Sequence, residues 1–218
     1  MIKLLPPIKN VYVLIGNNQY SVSSTFMRLQ AFYESALPNI KEQYFTLEQF
    51  MDSYAKEYGD FTYTSDFDAF NIPGHIASQF FCTFSSTLLE KERKLKSLLH
   101  APLTHYHNKK NKFYVIGIYD IADLQHELAH AFYYLYPEYR NAMNGITCSI
   151  PTNERERLSK TVQEWGYYCD DVVLDEIQAY MGTSGYSWLL QKFGVRAVPI
   201  RFIRKYQRVF KNTISKHC

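Results

Sequence analysis

The segment His126-Glu127-Leu128-Ala129-His130 constrains this chain more than any other stretch. Histidines four residues apart share one face of an α-helix, a turn from each other. On the helical wheel, Ile121, Leu124, Leu128, Ala131, Phe132 and Leu135 gather on one side, with His126 and His130 nearly opposite. A plain surface helix would carry Lys and Glu opposite its apolar stripe. Here that side carries Ala129, Tyr133 and Tyr134 beside the two histidines. The pattern predicts a helix over residues 121–136, covered on both faces, with the histidine side forming the floor of a cleft. Pro137 limits the helix and Asp120 can cap its first turn.

Other elements follow from local signals. Residues 11–15 form a strand that ends at Gly16-Asn17-Asn18, and residues 24–35 suit a helix. Thr46-Leu47-Glu48-Gln49 has capping-box spacing and opens a helix that Gly59 closes. Residues 61–67 alternate as a strand does, and Asn71-Ile72-Pro73-Gly74 carries turn chemistry. An amphipathic helix is expected over 86–99, a polar loop over 101–112, and a strand over 113–119 leading directly into the histidine helix. A loop over 141–151 precedes helices over 153–165 and 170–181, the second stopped at Gly182. A basic amphipathic segment occupies 200–214. Helices outnumber strands, which makes the expected class α+β: helix-rich, with a small sheet. The whole of 1–218 is expected to be one domain, with an N-terminal lobe over 1–110 and a metal-binding lobe over 111–218.

Composition excludes more than it assigns. A net charge of +3 and a charged fraction of 21% give no reason to expect nucleic acid or an acidic partner. The basic face of Arg201, Arg204, Lys205, Arg208 and Lys211 is read as solvated. Four cysteines without a CxxC pair, in a chain this long, read as reduced thiols of a cytoplasmic protein. No run of about 18 apolar residues occurs, so stable membrane insertion is not expected. The first residues lack a signal-peptide pattern, which leaves a cytoplasmic location or export by another route.

The chemistry lies in the histidine helix. Two imidazoles at this spacing can bind one Zn²⁺ at about 2.0–2.1 Å each. Glu127 sits about 100° round the helix from His126, where it can flank the ion without binding it and take a proton from water whose pKa the metal lowers to about 7. A catalytic zinc site needs a third protein ligand. Glu176, within Asp175-Glu176-Ile177-Gln178-Ala179-Tyr180, is the best candidate. On its wheel Val173, Leu174, Ile177, Tyr180 and Met181 form the apolar side, and Asp171, Asp175 and Gln178 the polar side. Glu176 falls at the apolar edge, where a carboxylate needs a compensating charge. Asp170 or Asp171 could serve instead. His105 and His107 are expected in solvent, and the flanks of Cys82 do not support a ligand role.

At these residues the chain resembles the gluzincin type of HExxH zinc metallopeptidase. His126-Glu127-Leu128-Ala129-His130 supplies the first motif, and Glu176 with Ala179 matches the later E-x-x-A. The resemblance spans 113–181 and implies a zincin-like fold, zinc bound by His126, His130 and Glu176, and Glu127 as general base. Where several members carry an Asp that orients a metal-binding histidine, this chain has Tyr180, and Asp175 could take that role.

An oxyanion stabiliser is also needed. Tyr133, Tyr134 and Tyr180 are candidates, with Tyr180 the first to test. The strand over 113–119, with Gly117, could pair with an extended substrate, or Gly117 could simply accommodate packing. The expected activity is zinc-dependent hydrolysis of a peptide bond in a protein or peptide. Alternatives are a zinc amidase acting on a non-peptide substrate, and a catalytically silent interaction module or secreted effector.

Overall fold

The structure, a computed structural model, describes residues 2–5, 8–106, 112–166, 170–193 and 199–217. In chain order the elements are β1 (Lys3–Leu4), β2 (Val11–Ile15), α1 (Gln19–Glu34), α2 (Leu47–Tyr58), α3 (Tyr63–Asp66), β3 (Ala69–Pro73), α4 (Gly74–Thr83), α5 (Glu90–Leu98), α6 (His100–Tyr106), β4 (Tyr114–Ile118), α7 (Leu124–Leu135), α8 (Pro137–Ser149), α9 (Thr152–Gly166), α10 (Asp170–Thr183), α11 (Tyr186–Phe193) and α12 (Ile200–His217). The class is α+β, with the four strands among the described residues in one mixed sheet. Two compact units result, Met1–Leu124 and Gln125–Cys218. The strand β4, expected on the metal-binding side of a boundary near residue 110, therefore belongs to the first unit.

In the first unit the strand order is β1-β2-β4-β3. β2 runs parallel to β4, with Val11 opposite Tyr114 and Ile15 opposite Ile118. β1 and β3 are antiparallel to their neighbours. All five residues of β4 are buried, as expected of an apolar run covered on both faces. β4 is thus a central strand, and the expectation that it offers an edge to substrate is overturned: β2 and β3 occupy both of its hydrogen-bonding edges. Gly117 has a packing cause. A Cβ there would lie 2.5 Å from the ring of Phe26 on α1, and that ring stacks on Phe70 of β3 at 5.6 Å.

Several local expectations meet their elements. Thr46 and Gln49 form the reciprocal capping box of α2, and Gly59 ends it at φ 91°. α1 begins earlier than expected because the Asn18 side chain accepts from Ser21 N–H. Others do not. Residues 61–67 contain the short helix α3 rather than a strand, since Tyr63 is buried in an aromatic cluster with Phe50 and Tyr54. The expected turn at 71–74 is the end of β3 and the start of α4. Pro73 is tolerated in β3, which pairs on one side only, and a side chain at Gly74 would meet the Phe113 ring at 2.5 Å. α6 occupies the start of the expected polar loop, with His105 exposed on it; His107 lies outside the described residues.

The second unit is helical. α10 packs against α8, α9 and α12, and α8 packs against α12. Residues 141–151, expected as a loop, lie largely within α8, where Pro137 occupies the first turn, a position that needs no N–H. α12 turns Phe202, Ile203, Tyr206 and Phe210 inward and leaves the five basic residues exposed. Gly182 does not stop α10 but lies inside it, with Phe210 Cβ 3.6 Å from where a side chain would start. Among the described residues no helix is long and apolar enough to cross a membrane.

Candidate metal centre

α7 positions two of the residues. Asp120 accepts a hydrogen bond from Ala122 N–H and caps a turn of 3-10 helix over Ile121–Asp123, from which α7 continues. Leu128, Ala131 and Phe132 are buried, as their shared face requires. Ile121, expected on that face, is instead 59% exposed, because it lies in the tighter turn before α7 begins. On the other side, Glu127 and His130 are buried, and the His126 side chain retains 24% exposure.

α10 supplies Glu176, which is buried. Its Oε2 lies 3.8 Å from His126 Nε2 and its Oε1 lies 3.7 Å from His130 Nε2. The two imidazole Nε2 atoms are 3.1 Å apart. One donor atom from each of the three side chains falls within 4.8 Å of the others, so this buried group could hold a metal ion. Two donors bound tetrahedrally to one zinc ion at ~2.1 Å would lie ~3.4 Å apart, and the observed separations straddle that value.

The donor set argues the same way. His130 Nδ1 is 2.9 Å from Asp175 Oδ1. A carboxylate only accepts, so Nδ1 carries the proton and Nε2 is turned towards His126 and Glu176. Two imidazole lone pairs at 3.1 Å repel unless a cation, a proton or a metal, sits between them. In the metal-free protein the electrostatic surroundings favour the proton case. Burial, with the neighbouring His130 as a smaller cause, pushes His126 down to about 3. Burial also opposes charge on His130, but Asp175 and Glu176 together outweigh it, and Glu127 adds to them, so His130 rises to about 10. The histidine pair thus shares one proton at neutral pH, and a metal ion bound there would replace it.

Of the tyrosines, Tyr133 is committed elsewhere, its hydroxyl donating to Asn144 at 2.7 Å. Tyr134 is half-buried. Tyr180 packs its ring against His126, 4.6 Å between centroids, and stacks on Trp188 at 5.7 Å. Asp175, 2.9 Å from His130 Nδ1, is placed to orient that imidazole, as the resemblance allowed. Gln178, placed on the polar side by the wheel, is fully buried; it donates to Asp175 and accepts from Tyr139. Leu174, placed on the apolar side, is 42% exposed. The Asp170 and Asp171 side chains, the rival ligands, lie outside the described part. Sequence reasoning missed Tyr139 and the burial of Gln178. The available signal was that Gln178 sits one turn from Asp175.

No protein-family model matches the chain, and neither a curated protein nor a solved structure is detectably similar to it.

Proposed function

We propose that this chain is a zinc-dependent peptidase of the HExxH, gluzincin-like type, with a zincin-like arrangement in which His126, His130 and Glu176 hold zinc. One observation carries the reading: two imidazole nitrogens and a carboxylate, from residues four apart on α7 and from α10, converge with one ligand imidazole already oriented by Asp175. A zinc ion held there would supply a Lewis acid for a carbonyl oxygen and make water nucleophilic near neutral pH.

The side chains divide the remaining work. Glu127 is buried and close enough to favour charge on His130. In this reading it accepts a proton from the attacking water and passes it to the leaving nitrogen. Asp175 keeps His130 in one tautomer and one orientation. Tyr180, against His126, donates its hydroxyl to the oxyanion that forms as the carbonyl is attacked. The exposed part of His126 is the side from which an extended protein or peptide substrate reaches the site.

The test is zinc analysis beside hydrolysis of an unfolded protein substrate. One zinc per chain is expected for the wild type, with sharp losses in His126→Ala and Glu176→Ala. Glu127→Gln is expected to retain zinc and fold while hydrolysis falls ~10²–10⁴-fold. Undiminished zinc in Glu176→Ala would remove the third ligand, and wild-type turnover in Glu127→Gln would remove the base.

A further inference from the structure

We propose that Gln178 and Tyr139 are positioning residues for the metal centre, acting through Asp175 on His130; this rests on the metal-binding reading above. The groups form a directed chain. Asp175 Oδ1 lies 2.9 Å from His130 Nδ1 and 2.8 Å from Gln178 Nε2. Gln178 Oε1 accepts from the Tyr139 hydroxyl at 2.7 Å. The chemistry permits one direction only. An ionised carboxylate has nothing to donate, so Gln178 must turn its NH₂ towards Asp175. Its carbonyl then faces Tyr139, which must donate. The same acceptor fixes the His130 proton on Nδ1 and leaves Nε2 for the ion.

Burial makes the chain costly unless it is used. Gln178 is 0% exposed and Tyr139 is 3% exposed. An amide and a phenol withdrawn from water need partners, whereas Ile177, Ala179 and Met181 fill neighbouring positions on α10 without that demand. The amide reaches the same Asp175 oxygen that receives the His130 proton. Asp175 keeps 27% of its side chain exposed, so water competes for it, and the amide from below holds it in the rotamer that His130 requires. Burial, and then the Asp175 charge, hold the Tyr139 phenol well above its ordinary range, so it remains a donor. The chain joins α8 to α10 and α10 to α7, and a shift of either helix would be felt at the ligand imidazole.

The experiment is zinc affinity, measured by competition with a chromogenic chelator, for Asp175→Asn, Gln178→Leu, Tyr139→Phe and the doubles of each with Asp175→Asn. Asp175→Asn is expected to weaken zinc binding ~10–100-fold, Gln178→Leu roughly tenfold and Tyr139→Phe about threefold, the outer links of such a shell counting for less. In the doubles, neither outer substitution adds to the Asp175→Asn loss, because the path is already cut. A second readout is the His130 Nδ1–H proton resonance of the zinc-loaded protein, sharp in the wild type and broadened by exchange in Gln178→Leu and, to a smaller degree, in Tyr139→Phe. Tyr139→Phe keeps the ring and decides the question if Gln178→Leu does not fold. Additive losses in the doubles, or unchanged affinity and an unchanged resonance in the outer variants, would overturn the inference and leave the metal site standing. Absence of zinc binding by the wild type would overturn both.

Discussion

Each unit buries a charged cluster, and the two clusters are built on opposite plans. In the first unit Arg28 of α1 meets Glu92 of α5 through two parallel bonds, Nε to Oε1 at 2.8 Å and Nη2 to Oε2 at 2.7 Å, with 2% side-chain exposure on each partner. The Thr87 carbonyl accepts a further guanidinium proton, Leu89 N–H donates to Glu92, and the Phe84 ring lies 4.7 Å from the guanidinium. Opposite charges meet there, and the protein itself satisfies the pair. In the second unit His126, His130 and Glu176 bring two imidazole nitrogens and a carboxylate together, each able to ligate a metal ion. Opposite charges closed on each other hold a fold, while converging lone pairs could hold a cation.

Stability measurements can break this comparison. The largest effect is expected from Arg28→Ala, which strands a buried carboxylate and should cost about 3–5 kcal/mol in urea unfolding, whereas Arg28→Met combined with Glu92→Leu should recover most of it. A near-neutral Arg28→Ala would show that the pair is incidental. Next, zinc at a hundredfold excess over its Kd should stabilise the wild type by about 2.7 kcal/mol. In His126→Ala that gain should disappear, and its survival would place the ion elsewhere.

The last effect concerns pH in the metal-free protein, where one pH unit moves stability by less than either change above. Both histidines start from 6.5 when unfolded; folded, they move to about 3 and about 10. Between pH 3 and 6.5 the folded pair holds one proton and the unfolded pair two, so stability rises with pH. Between 6.5 and 10 the folded pair still holds one and the unfolded pair none, so stability falls. The contribution of the pair should peak near pH 6.5, with slopes of at most about 1.4 kcal/mol per unit. The flattening of this peak in His130→Gln, followed by urea unfolding across pH, sharpens the assignment.

What was legible in the sequence was local. Thr46 with Gln49, Gly59 and the apolar run of β4 announce their elements because the signal lies within a few residues. The convergence of the candidate metal-binding group was legible for the same reason: helical spacing sets His126 beside His130, and a carboxylate at an apolar edge marks Glu176. The misread segments are those in which tertiary packing overrides punctuation. Asn141, Asn144 and Gly145 suggest a loop, but α8 buries Tyr139, Met143 and Thr147 along one side. Pro73 and Gly74 suggest a turn, but they close an edge strand and open a helix against Phe113. Gln178 was placed in water because polarity alone says nothing of a partner on another helix.

The pairing of β2 with β4 has a consequence for biosynthesis. Val11 must find Tyr114 as its parallel neighbour, so β2 leaves the ribosome long before β4 exists. The sheet cannot close early, and an apolar strand waits with its edge open, the circumstance in which nascent chains stick to one another and chaperones are recruited.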